Sequence, residues 1–169
     1  IMTRFIATWF YIGLLRPAPG TWGSLAALPF AYGMLWADWG VWHLLIVSGI
    51  VFAIGWWATH HETKGQDDHD PSEIVIDEIV GQWLALAPLF VMNTMFHLSD
   101  GSGFTSAGFY ISFLLGFGLF RFFDILKPWP ISWADKKTTA LGVMLDDVLA
   151  GLLAGATLVA LILLRMIFL

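Results

Sequence analysis

The chain has 169 residues, 58% of them hydrophobic and only 12% charged, with a mean hydropathy of +0.75. That is roughly half the charged share of an ordinary soluble domain, so residues 1–169 are expected to form one integral membrane domain with no soluble second one. A formal charge of −5 argues against nucleic acid as a partner, and the lack of cysteine excludes disulfides and thiolate chemistry.

A spanning helix needs roughly 17–25 apolar residues, and the elements follow from that length. Phe5–Leu15 is apolar but too short to span, and it lacks an A-x-A-type cleavage site. It is expected as a short N-terminal interfacial or re-entrant helix rather than a signal peptide. Trp22–Ala37 is a short span broken by Pro29. Val41–Ala58 is a good span, and Ile79–His97 is another, kinked at Pro88. Phe104–Phe123 contains no proline, and Val148–Leu164 is the last span. The expected fold class is all-α: a polytopic membrane helix bundle of about five spanning helices. The sequence assigns no oligomeric state. Its 10 Trp and 14 Phe suit a protein with aromatic belts at both interfaces.

Under this count Arg4, Arg16, Lys64, Lys127, Lys136 and Lys137 fall on one side, and Arg121 at the same end of its helix. Arg165 alone lies near the other end. The positive-inside rule makes the charged side cytoplasmic. Its two loops, Thr59–Ser72 and Asp124–Leu145, also gather acids, Asp67, Asp68 and Asp70 among them, with Glu73 at the helix start that follows the first.

In "IVIDEIVG", Asp77 and Glu78 are about 100° apart on a helix and can face one interior quadrant. Asp77 and Gly81 share a face, and the glycine allows close approach of a backbone or ligand. Acids at a helix start also complement its dipole, which accounts for Glu73 as well as a site would. For Asp77 and Glu78 it accounts less well, because ionised groups among apolar neighbours cost a few kcal/mol to insert. "GVMLDDVLAG" repeats the spacing with Asp147 and Gly151. One aspartate there could be a helix N-cap, but Asp146 and Asp147 are two.

In "FRFFDILKPWPISWADK", Arg121, Asp124 and Lys127 follow one another at i, i+3. A simple salt bridge is the plain alternative to a site. The helix is expected to end near Lys127, ahead of Pro128. Trp129 and Trp133 suit interfacial anchoring, and Lys136 and Lys137 suit anionic headgroups. "RPAPGTWGS" is expected as a turn rather than a plain helix. Its N–H groups, with Thr21 and Ser24, could cradle a phosphate. Equally, it could be a polar loop capping the first span at Ser24.

"HHETKGQDDHD" lacks the spacing of a zinc site, so His60 and His61 are read as interfacial, with His69 beside Asp70 left open. Carboxylates without thiols suit hard Mg²⁺, which takes one or two of them plus substrate phosphate oxygens. Acids for a metal and cations for an anion at one membrane face read as phosphate chemistry at the bilayer surface.

Four collinear motifs, "PGTWGSLAALP", "DPSEIVIDEIVGQW", "FRFFDILKPWPI" and "LDDVLAG", closely resemble bacterial phosphatidylglycerophosphatase A from about Arg16 to Gly151. The resemblance implies a Mg²⁺-dependent lipid phosphatase of the inner membrane that converts phosphatidylglycerophosphate to phosphatidylglycerol. Taking chemistry and resemblance together, Asp77, Glu78, Asp124, Asp146 and Asp147 are the expected metal-binding and catalytic acids. Arg121 and Lys127 are the expected phosphate ligands, helped by Thr21 and Ser24. Asp70, Glu73 and His69 are expected behind them. Attack by water and a covalent phospho-enzyme on an Asp or Thr21 both remain open. A cation channel or transporter would need acids spread through the bilayer depth, whereas these cluster beside Arg and Lys. A CDP-alcohol phosphotransferase would carry D-x-x-D-G-x-x-A-R, which is absent.

Overall fold

The computed structural model describes residues 1–66, 68, 70–96 and 107–168, and these are helical with no strand among them. His69, Asp67 and the Ser99–Gly103 connection lie outside the described residues. A short helix α1 (Met2–Ala7) leads through a 3-10 turn (Ile12–Leu14) into α2 (Pro19–Trp36) and α3 (Val41–Thr63). There follow α4 (Ile76–Ala85), α5 (Ala87–Phe96), α6 (Ala107–Leu126), a short α7 (Ile131–Asp135) and α8 (Ala140–Phe168). Three of them, α3, α6 and α8, are long and apolar enough to cross a membrane.

Several boundaries depart from the expected ones, each for a local reason. "RPAPGTWGS" is largely helix, because Pro19 takes the first helical position, where its missing N–H costs nothing. Gly20 and Gly23 lie inside α2, where side chains from other helices and loops press close: a Cβ on Gly23 would stand 2.8 Å from Val75 Cβ. Ser24 is therefore interior to the helix and not its cap. Pro29 does not break α2; its side chain is exposed, and apolar helices tolerate such a proline. Around Pro88 the chain forms two helices instead of one kinked one. They break at Leu86, and Pro88 falls in the first turn of α5, the position prolines favour. The last helix begins at Ala140, eight residues before the expected start, because the Thr139 hydroxyl caps it by accepting from Gly142 N at 3.1 Å. Asp146 and Asp147 thus lie well inside α8 and are not N-caps.

Lys127 follows α6 in left-handed conformation (φ 45°), its N–H donating to the Phe123 carbonyl at 2.8 Å. This closes the helix and turns the chain toward α7, in the manner of an αL cap. α4 lies at the centre, against α2, α3, α6 and α8. Its Trp83 Nε1 donates to the Ala27 carbonyl of α2 at 3.0 Å. Leu35, Leu44, Ile79, Leu86 and Phe90 form one buried cluster with Trp83, and Ala85, Phe120, Ala150 and Ala154 form another.

The two ends of the bundle differ. At one end Asn93 of α5 donates to Asp38 Oδ1 and to the Trp39 carbonyl, both at 3.2 Å, and Thr94 Oγ1 accepts from Val41 N at 3.2 Å. Arg165 lies against Gly108 at the start of α6. At the other end Arg4 and Arg16 reach Glu73 at 2.9 and 3.7 Å, and Arg16 also reaches Ser72 at 3.3 Å. The two charged loops also meet, with Asp68 and Asp70 of one and Asp135 of the other in one cavity wall.

Candidate active site

Where α4 crosses α8, Gly81 and Gly151 touch. A Cβ on Gly81 would stand 2.5 Å from Phe120 Cε2 and 2.6 Å from the Asp147 carbonyl oxygen, and one on Gly151 would run into the Gly81 carbonyl. Asp77 precedes Gly81 by one turn, and Asp147 precedes Gly151 by one turn. The crossing therefore sets the two buried carboxylates against each other. Asp77, Glu78 and Asp147 each offer a ligand oxygen, and these atoms lie within 4.8 Å of one another. The first acid of each pair also braces the second. Asp77 Oδ1 accepts from Glu78 N at 3.1 Å, and Asp146 Oδ1 accepts from Asp147 N at 3.0 Å.

Asp77 and Glu78 do occupy the first turn of α4, where the helix dipole favours acids. A dipole does not explain why a third carboxylate from another helix joins them. Like charges this close in a buried site repel strongly. Glu78 Oε2 is moreover buried with no hydrogen-bond partner. An oxygen-only donor set with an unsatisfied buried oxygen fits a hard divalent cation. These three residues could hold one.

The end of α6 supplies the counter-charges. Arg121 Nη1 lies 2.6 Å from Asp124 Oδ2 and 3.3 Å from Ser24 Oγ, which in turn donates to the Gly20 carbonyl at 2.9 Å. Arg121 thus ties α6 to the start of α2. Lys127 does not pair with Asp124, as its i, i+3 spacing suggested. Its turned backbone carries Nζ to Asp146 Oδ2 at 2.7 Å and to Asp135 on α7. Burial alone would lower the Lys127 pKa, but these hydrogen bonds outweigh it and hold the ammonium above its ordinary value.

A cavity of about 340 Å³ joins these groups. Its wall includes Asp70, Asp77, Glu78, Asp124, Asp146 and Asp147, with Arg121 and Lys127 among them and Gly20 and Thr21 at the start of α2. Six acids less two cations leave four formal negative charges. An apolar groove of about 440 Å³ between α4–α5 and α8 has no titratable group in its lining.

Most of the expected site residues meet here. Ser24 does not line the cavity but holds Arg121 from behind. Glu73 turns away to Arg4 and Arg16, tying down the N-terminal segment. Asp70 reaches the cavity, and His69 is outside the described residues. Two polar residues escaped the sequence reading. Asp135 stands beyond two prolines in a stretch that reads as an interfacial tryptophan segment. Gln82 is fully buried with neither amide atom paired. Its one signal was an amide within an apolar run, one turn after Glu78.

The family model of phosphatidylglycerophosphatase A matches residues 5–162. The phosphatidylglycerophosphatase A of Escherichia coli (strain K12) is 36% identical over 156 residues, covering 92% of this chain and 80% of that protein. The Haemophilus influenzae protein of the same name is 37% identical over 152 residues, covering 89% of this chain and 83% of its own. No solved structure matches. With the match running through nearly the whole length, this chain belongs to the phosphatidylglycerophosphatase A family.

Proposed function

We propose that this protein is a Mg²⁺-dependent lipid phosphatase of the bacterial inner membrane, which hydrolyses the terminal phosphomonoester of phosphatidylglycerophosphate to phosphatidylglycerol and phosphate. The family supports the reaction. The observation that carries the chemistry is the meeting of Asp77, Glu78 and Asp147 with Arg121 and Lys127 in one cavity at the polar end of an apolar bundle.

With its six carboxylates ionised the cavity would expel a phosphate dianion, so binding one in that state calls for added positive charge. Asp77, Glu78 and Asp147 would hold Mg²⁺. The chemistry that ion supplies when bound is neutralisation of phosphate oxygens and activation of water. Arg121, kept in place by Asp124 and Ser24, presents its remaining N–H groups to phosphate oxygens as a fork. Lys127 contributes a point charge from the other wall. The uncapped start of α2, with Gly20 and Thr21, adds backbone N–H groups with a favourable dipole. Phosphoryl transfer depends mainly on such positioning and on charge stabilisation.

We read the chain as crossing the membrane five times, through α2, α3, the α4–α5 pair, α6 and α8. Residues 76–96 would cover about 31 Å at 1.5 Å per residue, enough for the hydrocarbon core. The cavity faces the cytoplasm on this reading, because Arg4, Arg16, Lys64, Lys127, Lys136 and Lys137 gather at its end. Phosphate release from phosphatidylglycerophosphate by the detergent-solubilised protein tests the reaction. Release should depend on Mg²⁺ and stop with a chelator. Full activity in excess chelator would remove the metal from the mechanism, and no release at all would remove the reaction.

A further inference from the structure

We propose that Asp135, on α7, is a positioning residue that aims Lys127 at the substrate phosphate. The proposal rests on the reading of Lys127 as a phosphate ligand given above.

Lys127 is in left-handed conformation, uncommon for a long side chain, and from there its chain runs back toward α8 instead of out along α6. Its ammonium has three donors and no acceptor. Two are used, one on Asp146 of α8 and one on Asp135 of α7. Both anchors come from outside α6, so they fix the head group in a frame independent of its own helix. With two donors anchored, the direction of the third is set. Lys127 is also part of the wall of the charged cavity, while Asp135 is not. Asp135 lies in a smaller adjoining cavity of about 210 Å³ with Asp68, Asp70 and Asp146. It therefore stands outside the wall of the charged cavity, where it can hold Lys127 without lining the phosphate site.

Asp146 alone would leave the ammonium free to rotate about a single anchor. A lysine carries large rotamer entropy, and that entropy must be given up again each time phosphate binds. The second anchor removes that freedom in advance, which is preorganisation. A rival role is purely mechanical: the Lys127–Asp135 pair also clasps the turn between α6 and α7. A third role would be competition, with Asp135 drawing Lys127 away from phosphate. The three differ in what substitution does.

The test is a double-substitution cycle on the full chain in detergent, with Lys127→Ala, Asp135→Ala and the pair. KM and kcat are measured with the lipid substrate, and inorganic phosphate is the probe for product inhibition. Asp135→Ala should raise KM and weaken phosphate inhibition about tenfold, the scale of one charge-assisted hydrogen bond. kcat should change much less. Asp135→Asn, which keeps an acceptor oxygen, should fall between. In the Lys127→Ala background, removing Asp135 should have no further effect. Equal effects of Asp135→Ala in both backgrounds would overturn the proposal. So would a lower unfolding temperature with unchanged KM, which is the clasp, or a lower KM, which is competition. If Lys127→Ala itself left KM and phosphate inhibition unchanged, the phosphate role of Lys127 would fall and the proposal with it. If Lys127→Ala acts and Asp135→Ala does not, only the proposal falls.

Discussion

Gly81 of α4 and Gly151 of α8 lie in contact, backbone against backbone, and no side chain fits between them. The two aspartates one turn earlier owe their approach to this. The contact predicts that Gly81→Ala and Gly151→Ala will each destabilise the protein, by about 1–3 kcal/mol as in other overpacked cores. The obstructing atoms are backbone carbonyls and a buried Phe120 ring, none of which can swing aside. Activity should fall further than stability, because spreading the helices parts the carboxylates. Gly118→Ala on the outer face of α6 serves as the comparison, since a Cβ there meets nothing within 4 Å. Thermal unfolding in detergent, read beside turnover, separates the cases. Equal tolerance at all three positions would mean that the crossing is looser than described.

Asp147→Asn and Asp77→Asn should each lower turnover by at least about a hundredfold, more than changes behind a metal site usually cost. The amide has nearly the carboxylate's shape, so the fold should persist. What changes is the charge that holds the cation. Mn²⁺ binding, followed by its paramagnetic signal, should weaken in parallel. An Asn variant with low turnover and unaltered metal affinity would assign that aspartate to proton transfer. One with normal turnover would make it structural.

The carboxylate crossing was legible in the sequence because it repeats one local device. Asp77 with Gly81 and Asp147 with Gly151 are both acid and glycine at i, i+4, and that spacing fixes a shared helix face whatever the tertiary fold. Helix ends were less legible. A proline looks like a breaker, yet Pro19 begins a helix, Pro29 sits harmlessly on an exposed face and Pro88 restarts a helix. The apolar pattern marks where lipid could begin, and α8 begins about two turns before that, at a threonine cap. Pairings that depend on a backbone turn were hidden altogether. Helical spacing offered Asp124 as a plain salt-bridge partner for Lys127, but a left-handed residue at the end of α6 sends it to Asp135 and Asp146.

Arg121→Lys should keep the positive charge and still raise KM about tenfold, because lysine cannot supply the planar fork. Ser24→Ala should have a smaller effect in the same direction, since it removes one of two partners that hold the guanidinium. Asp124, the other partner, remains. If Arg121→Lys matched the parent enzyme, Arg121 would be acting as a bulk charge and the fork would carry nothing.

The acids enter the apolar bundle from one end because the substrate is a lipid. Its acyl chains remain in hydrocarbon and its phosphate lies at headgroup depth. Drawing the chains into water would cost about 0.8 kcal/mol for every CH₂ exposed. A cavity sunk into the membrane surface avoids that extraction. This requires both charged loops on one face, which labelling can test in a chain with no cysteine of its own. Lys64→Cys and Lys136→Cys stand in exposed positions at the charged end, and Ala37→Cys in the exposed turn between α2 and α3. In right-side-out vesicles a membrane-impermeant maleimide should label only Ala37→Cys. In inverted vesicles it should label the other two. Labelling of Lys64→Cys and Lys136→Cys from opposite faces would put the two walls of the cavity on different sides of the bilayer, and the shared site could not exist.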